Sequence, residues 1–230
     1  MDIIKALNED ILNEEGNLRF LKGLLEVIEY LNEEAKNDLN NNESKLIEKY
    51  RIESKSINFN DILSICSLTV VSKIELSIIL KHYAVSKYDW EKSYFLRVGV
   101  MNIYETINTY HKYTKSLKTM TDDKNDLPIS FRELGKKLRA FKKENGFDNK
   151  MNNIRNSTIA HISLDFKKYY DDVKSIDKKE TIIMIRKFIR ILNEIYELSI
   201  NCLIDKPMDK DLNTNEVYEN LKNIFEKNIC

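Results

Sequence analysis

The sequence predicts an all-α protein, an up-and-down helical bundle with additional N- and C-terminal helices. Three observations lead there. Only 2 prolines and 5 glycines punctuate 230 residues, and these are the residues that break helices and shape turns. Apolar residues recur at spacings of three and four through most of the chain, the mark of a helix with one buried face. No segment shows the period-two alternation of a half-buried strand. With 42% hydrophobic residues the chain can build a substantial core, and its length suits one large domain or one domain with extensions.

The first helical pattern runs from about Gly16 to Leu39, with Leu18, Leu21, Leu24, Leu25, Ile28 and Leu31 as its buried face. The run Asn40-Asn41-Asn42 interrupts it, and a short helix over Ser44–Ile52 follows. A second long helix starts near Asn58–Asp61 and reaches Val85. It is apolar on most sides between Ile62 and Leu80, which predicts a central position in the bundle. A third helix runs from Asp89 to about Leu117, with Phe95, Val98, Val100, Met101, Tyr104 and Ile107 as expected core positions. The polar stretch Thr121–Asp126 reads as a loop.

Ser130 and Glu133 have the spacing of a capping box, in which a hydroxyl and a carboxylate satisfy free backbone donors at a helix start. The helix they open ends at Asn145-Gly146, a typical stop. Asp148 is placed to cap the next helix, beginning near Lys150. Asp177 and Glu180 open a long helix to about Ile204, with Ile182, Ile185, Ile189, Leu192, Ile195 and Tyr196 facing inward. Asn213 and Glu216 cap a last amphipathic helix carrying Val217, Leu221, Ile224 and Phe225. The expected organisation is an N-terminal helical extension (1–55), a bundle (56–206) and a C-terminal helix (207–230) packed on it, as one compact unit.

The charges, 37 basic against 37 acidic, exclude a general polyanion binder, whose domain is usually strongly basic. They leave room for a local basic groove. Cys66, Cys202 and Cys230 are widely spaced, odd in number and without metal-ligand spacing, which points to a reduced, cytoplasmic chain. The N-terminus carries no signal-peptide pattern. No run of about 20 uninterrupted apolar residues is present, so no membrane span is expected.

One segment carries chemistry. On the helix starting near Lys150, Met151, Ile154, Thr158 and Ile162 form an apolar stripe. Arg155 lies roughly 40° to one side of it and His161 roughly 80° to the other. Imidazole titrates near neutral pH and can move a proton. Guanidinium stays charged and matches phosphate with paired donors. Such a pair suits cleavage of an RNA phosphodiester by the neighbouring 2′-hydroxyl, which needs proton transfer and stabilisation of a crowded anionic phosphorane. Asn156 is placed to hold Arg155 or to contact the phosphate. On spacing alone a plainer arrangement competes: Arg155 paired with a nearby acid and His161 partly buried and hydrogen-bonded.

The segment Ile154-Arg155-Asn156-Ser157-Thr158-Ile159-Ala160-His161 resembles the motif of the HEPN superfamily. That motif is an Arg, four to six residues and a His, often with a polar residue after the Arg and a small one before the His. The order of elements over residues 60–204 is similar to that of abortive-infection-type HEPN proteins; only the motif is sharp. The resemblance implies a four- or five-helix bundle that forms a homodimer, with two motifs in one cleft. It implies a metal-independent endoribonuclease acting on RNA in toxin–antitoxin or phage-defence systems, with an antitoxin protein as a further partner. Arg155, Asn156 and His161 are then the catalytic residues, with no cofactor, no metal, no membrane and no DNA involved. Some HEPN proteins lack activity and serve as RNA- or protein-binding modules, and that alternative stays open.

Further residues have two readings each. Lys137 and Arg139, in the basic run Lys136–Lys143, can steer RNA to the cleft; the commoner arrangement is a solvated helix face with Leu134, Leu138 and Phe141 turned inward. Tyr169 and Tyr170 can stack on unpaired bases or pack in a core or dimer interface. Arg97 joins Trp90 and Tyr94 on one side of the third helix, a candidate lining for the motif cleft. His82 and His111 have no partner motif and read as structural.

Overall fold

The computed structural model describes residues 3–37, 57–122, 126–154, 170, 174 and 176–204, and the described residues are helical and turn structure with no strand. Among the described residues, five α-helices, α1 (Ile3–Asn37), α2 (Ile57–Val85), α3 (Asp89–Asp122), α4 (Leu127–Glu144) and α5 (Lys178–Ile204), and one π-helical turn (Phe147–Met151) pack as a bundle. The expected helices at Ser44–Ile52 and after Asn213 lie outside the described residues.

α2 occupies the centre, packed against α1, α3 and α5. Its sequence requires this: Ile62, Leu63, Ile65, Cys66, Val70, Leu76, Ile79 and Leu80 are all buried and spread over most of the circumference. By length and apolar character Asn60–Val85 suffices to cross a membrane, but most of it is buried inside the bundle, as for the core helix of a globular domain. α2 and α3 form an antiparallel hairpin. Glu75 accepts from Asn102, the Ser72 and Thr106 hydroxyls share a buried hydrogen bond of 2.7 Å, and Ser116 donates to Asp61. As one residue number falls the other rises, so the register holds along the whole length.

α1 starts well before the expected Gly16. It reaches back to Ile3, and Leu7 and Leu21 enter the core with Glu14 midway between them on the same stripe. Leu18 and Leu25, expected inside, are partly exposed. Glu14 meets Lys73 of α2 at 2.7 Å, with Lys73 buried and Glu14 largely so, and the Lys73 ammonium lies 4.9 Å from the Tyr196 ring of α5. One ionic contact thus ties three helices together.

The α3 core face is rotated from the expected one. Val100 and Ile107 are buried as predicted, but Phe95, Val98 and Tyr104 are only half-buried. Leu96, Arg97, Ile103, Tyr110 and Leu117 take the inner positions. Gly99 permits a close approach to α5, since a Cβ there would meet Ile185 Cδ1 at 2.8 Å. The helix continues to Asp122, past the expected loop start at Thr121.

The capping box at Ser130 is not used. α4 begins three residues earlier at Leu127, with a proline in its first turn, where the missing N–H costs nothing and φ is already helical. Ser130 therefore sits inside the first turn and donates back to the Asp126 carbonyl, while Glu133 pairs with Lys136. Asp148 likewise caps nothing: it lies inside the π-helical turn, which starts after Gly146 in the left-handed region at φ 60°. The α5 start matches expectation, with the Glu180 N–H donating to Asp177 Oδ1 at 2.8 Å. α5 buries Ile185, Leu192 and Ile195, and also Met184, Phe188 and Cys202. α4 lies antiparallel to it through Lys137–Glu194, Phe141–Phe188 and Glu144–Lys187. Leu134, Leu138 and Phe141 point inward as predicted. Cys66 and Cys202 are buried thiols outside any disulfide, and burial pushes the Cys66 thiol up to about 12.

Candidate functional site

The end of the bundle where α3 and α5 begin collects the site-like features. α3 opens on Asp89, and Trp90, Tyr94 and Arg97 follow at spacings of four and three, which places them on one side of the helix. The Arg97 guanidinium lies 6.0 Å from the Trp90 ring and 5.9 Å from the Tyr94 ring. Aromatic faces attract a cation at that range. Tyr94 meets Phe95 edge to face, and Phe95 stacks on His82. Tyr170 stacks on Trp90 with ring centres 6.1 Å apart. The Lys174 ammonium, four residues further on in sequence, lies 5.8 Å from the Tyr170 ring.

Electrostatics at this end are set by a lysine group around one acid. Lys178 pairs with Asp89 at 2.7 Å. That hydrogen bond and charge hold the Asp89 carboxyl below the usual carboxylate range, and Lys174 and Lys92 add to the effect. Glu91 accepts from the Tyr88 backbone N–H.

The chain approaches the motif through the π-helical turn. Phe147 stacks on Tyr104, Met151 is buried, and Ile154 packs on the core. This agrees with the inward stripe expected for Met151 and Ile154. Lys150 reaches Glu180 in the first turn of α5 at 3.9 Å. Arg155, Asn156, His161 and Tyr169 lie outside the described residues. The chain before them is therefore tied to the start of α5, and Tyr170 after them to the start of α3, at the same end of the bundle.

The other sequence candidates are distributed unevenly. Arg97 and Tyr170 are brought together through Trp90. Arg97 is buried, not open to a cleft, so it acts on the rings beside it and not directly on a surface ligand. Lys137 is elsewhere, paired with Glu194. Glu194 lies 16 residues along α5 from Lys178, roughly 24 Å by helical rise. Arg139 is on the same exposed helix and meets none of the aromatic group. Lys174, Lys178 and Lys92 belong to the cluster and were not singled out by sequence. His111 is held below its usual pKa by burial and by the Lys142 charge.

Among the described residues no group of His, Cys, Asp and Glu is arranged to hold a metal ion. A shallow apolar depression of about 440 Å³ lies between α1 and α2, lined by Leu18, Leu21, Leu25 and Ser67 among others. Ser67 is 18 residues from the end of α2, roughly 27 Å from the aromatic cluster by helical rise. No protein-family model, no curated protein and no solved structure matches this chain.

Proposed function

We propose that the protein is a metal-independent endoribonuclease of HEPN type, acting as a cytoplasmic toxin or phage-defence effector. It works as a homodimer, with an antitoxin-type protein as its restraint. The observation that carries this reading is the segment Arg155-Asn156-Ser157-Thr158-Ile159-Ala160-His161, with its cation, amide and imidazole in HEPN order. Its setting in an all-α bundle supports it, as does the group of rings and lysines at the bundle end to which the flanking chain is tied.

In this reading His161 accepts the proton of an RNA 2′-hydroxyl as its oxygen attacks the adjacent phosphorus. The bond from phosphorus to the 5′-oxygen breaks, and that oxygen takes a proton from solvent or from the histidine of the second copy. The products are a 2′,3′-cyclic phosphate and a 5′-hydroxyl. Arg155 neutralises the phosphorane with paired donors, and Asn156 orients it.

The test is incubation of the purified chain with single-stranded and structured RNAs in excess chelator, beside His161→Ala. Cleavage leaving 2′,3′-cyclic ends, slowed at least about 100-fold by the substitution, is expected. Equal cleavage by both proteins would remove His161 from the mechanism. No cleavage by either would favour the silent RNA- or protein-binding module.

A further inference from the structure

Three large aromatic side chains remain open to solvent in one patch: Trp90 at 42% exposure, Tyr94 at 52% and Tyr170 at 42%. Scattered apolar residues on a surface are ordinary, whereas a contiguous group marks a binding surface. These rings are held in place rather than loosely displayed. Trp90 and Tyr170 stack on each other, and Tyr94 is braced edge-on by Phe95. Arg97, only 2% exposed, fixes a positive charge beneath both α3 rings. Lys174 sits over Tyr170, and Lys92 and Lys178 surround Asp89. Among the described residues, Asp89 and Glu91 at this end are already engaged, with Lys178 and with the Tyr88 backbone N–H.

We propose that the exposed faces of Trp90, Tyr94 and Tyr170, together with Lys174, form a stacking platform for an unpaired nucleic-acid strand. Every base offers a π-face, so rings bind single strands without reading sequence, while lysines track the phosphates. An apolar protein partner would use the rings but gain little from the lysines. A duplex keeps its bases stacked inside and would gain little from the rings. The choice of RNA over DNA rests on the ribonuclease reading; the platform itself does not. The described chain on both sides of the motif segment is tied to this same end of the bundle.

Trp90 is the sole tryptophan of the chain, so its fluorescence reports the platform directly. The whole chain, as wild type and as His161→Ala to keep the RNA intact, is titrated with an oligouridylate of about twelve nucleotides, within the range of known single-strand sites. A saturable fluorescence change is expected, weakened about five- to a hundredfold by Tyr94→Ala. Lys174→Glu is expected to weaken binding and to flatten its salt dependence, since each phosphate contact contributes about 0.7 to the slope for single strands. Lys22→Glu on α1, away from the patch, should change neither. The platform falls if no saturable change occurs, if Tyr94→Ala binds like the wild type, or if a duplex of equal length binds as tightly. Fluorescence change without cleavage would sink the ribonuclease reading and leave the platform standing; cleavage without fluorescence change would do the reverse.

Discussion

Gly146 shows how a single residue directs the chain. It lies at φ 60° between α4 and the π-helical turn, a conformation that costs residues with a Cβ about 1–2 kcal/mol. A Cβ there would also press on Lys150 Cβ at 3.2 Å. Gly146→Ala is therefore expected to lower the unfolding free energy by about 1–2 kcal/mol in urea titration; an unchanged midpoint would show that the turn relaxes freely. This position was legible from sequence, because Asn-Gly after an amphipathic run signals a helix end. Arg97 was not legible in the same way. Its spacing with Trp90 and Tyr94 was correct, but spacing along one helix cannot say whether the far side of a residue meets solvent or another helix. The catalytic candidates Arg155, Asn156 and His161 rest on sequence resemblance and chemistry.

At the scale of elements, the contact between α1 and α2 illustrates what periodicity misses. Glu14 and Lys73 are ordinary surface residue types, and neither helix alone marks them as inward. Together they form a buried ion pair that also touches Tyr196. Removing one partner leaves a buried charge uncompensated, which costs more than the pair contributes. Glu14→Leu is expected to destabilise the protein by about 3 kcal/mol, and the double substitution Glu14→Leu with Lys73→Met to recover most of that loss. Chemical unfolding of these two variants and of Lys73→Met decides it, since additive effects would show that the two residues do not interact. The start of α4 makes a related point. Two start signals competed within four residues, the capping-box pair at Ser130 and the proline at 128, and the earlier one prevailed because Pro128 fits a first helical turn. The α5 cap at Asp177 met no such competitor and was read correctly.

At the scale of the whole molecule, α2 packs most extensively against its neighbours among the described helices and has the most uniform apolar surface. Opening it requires separating α1, α3 and α5, so its amides are expected to exchange only through near-global unfolding. Hydrogen exchange followed by mass spectrometry should find α2 peptides the slowest and α4 peptides faster, because α4 packs mainly on α5 and α3; α2 exchanging as early as α4 would refute the central placement. The all-α class, the central position of α2, the end of α4 and the start of α5 were determined by sequence alone. They follow from local propensity, hydrophobic period and capping chemistry, which act over a few residues. The inward turn of Arg97 and the Glu14–Lys73 pair were decided only by the tertiary structure. So was the meeting of Tyr170 with Trp90 across some 80 residues of chain. Each of these depends on which helix lies beside which, and burial of a charge or stacking of a ring is settled only when both surfaces are in place.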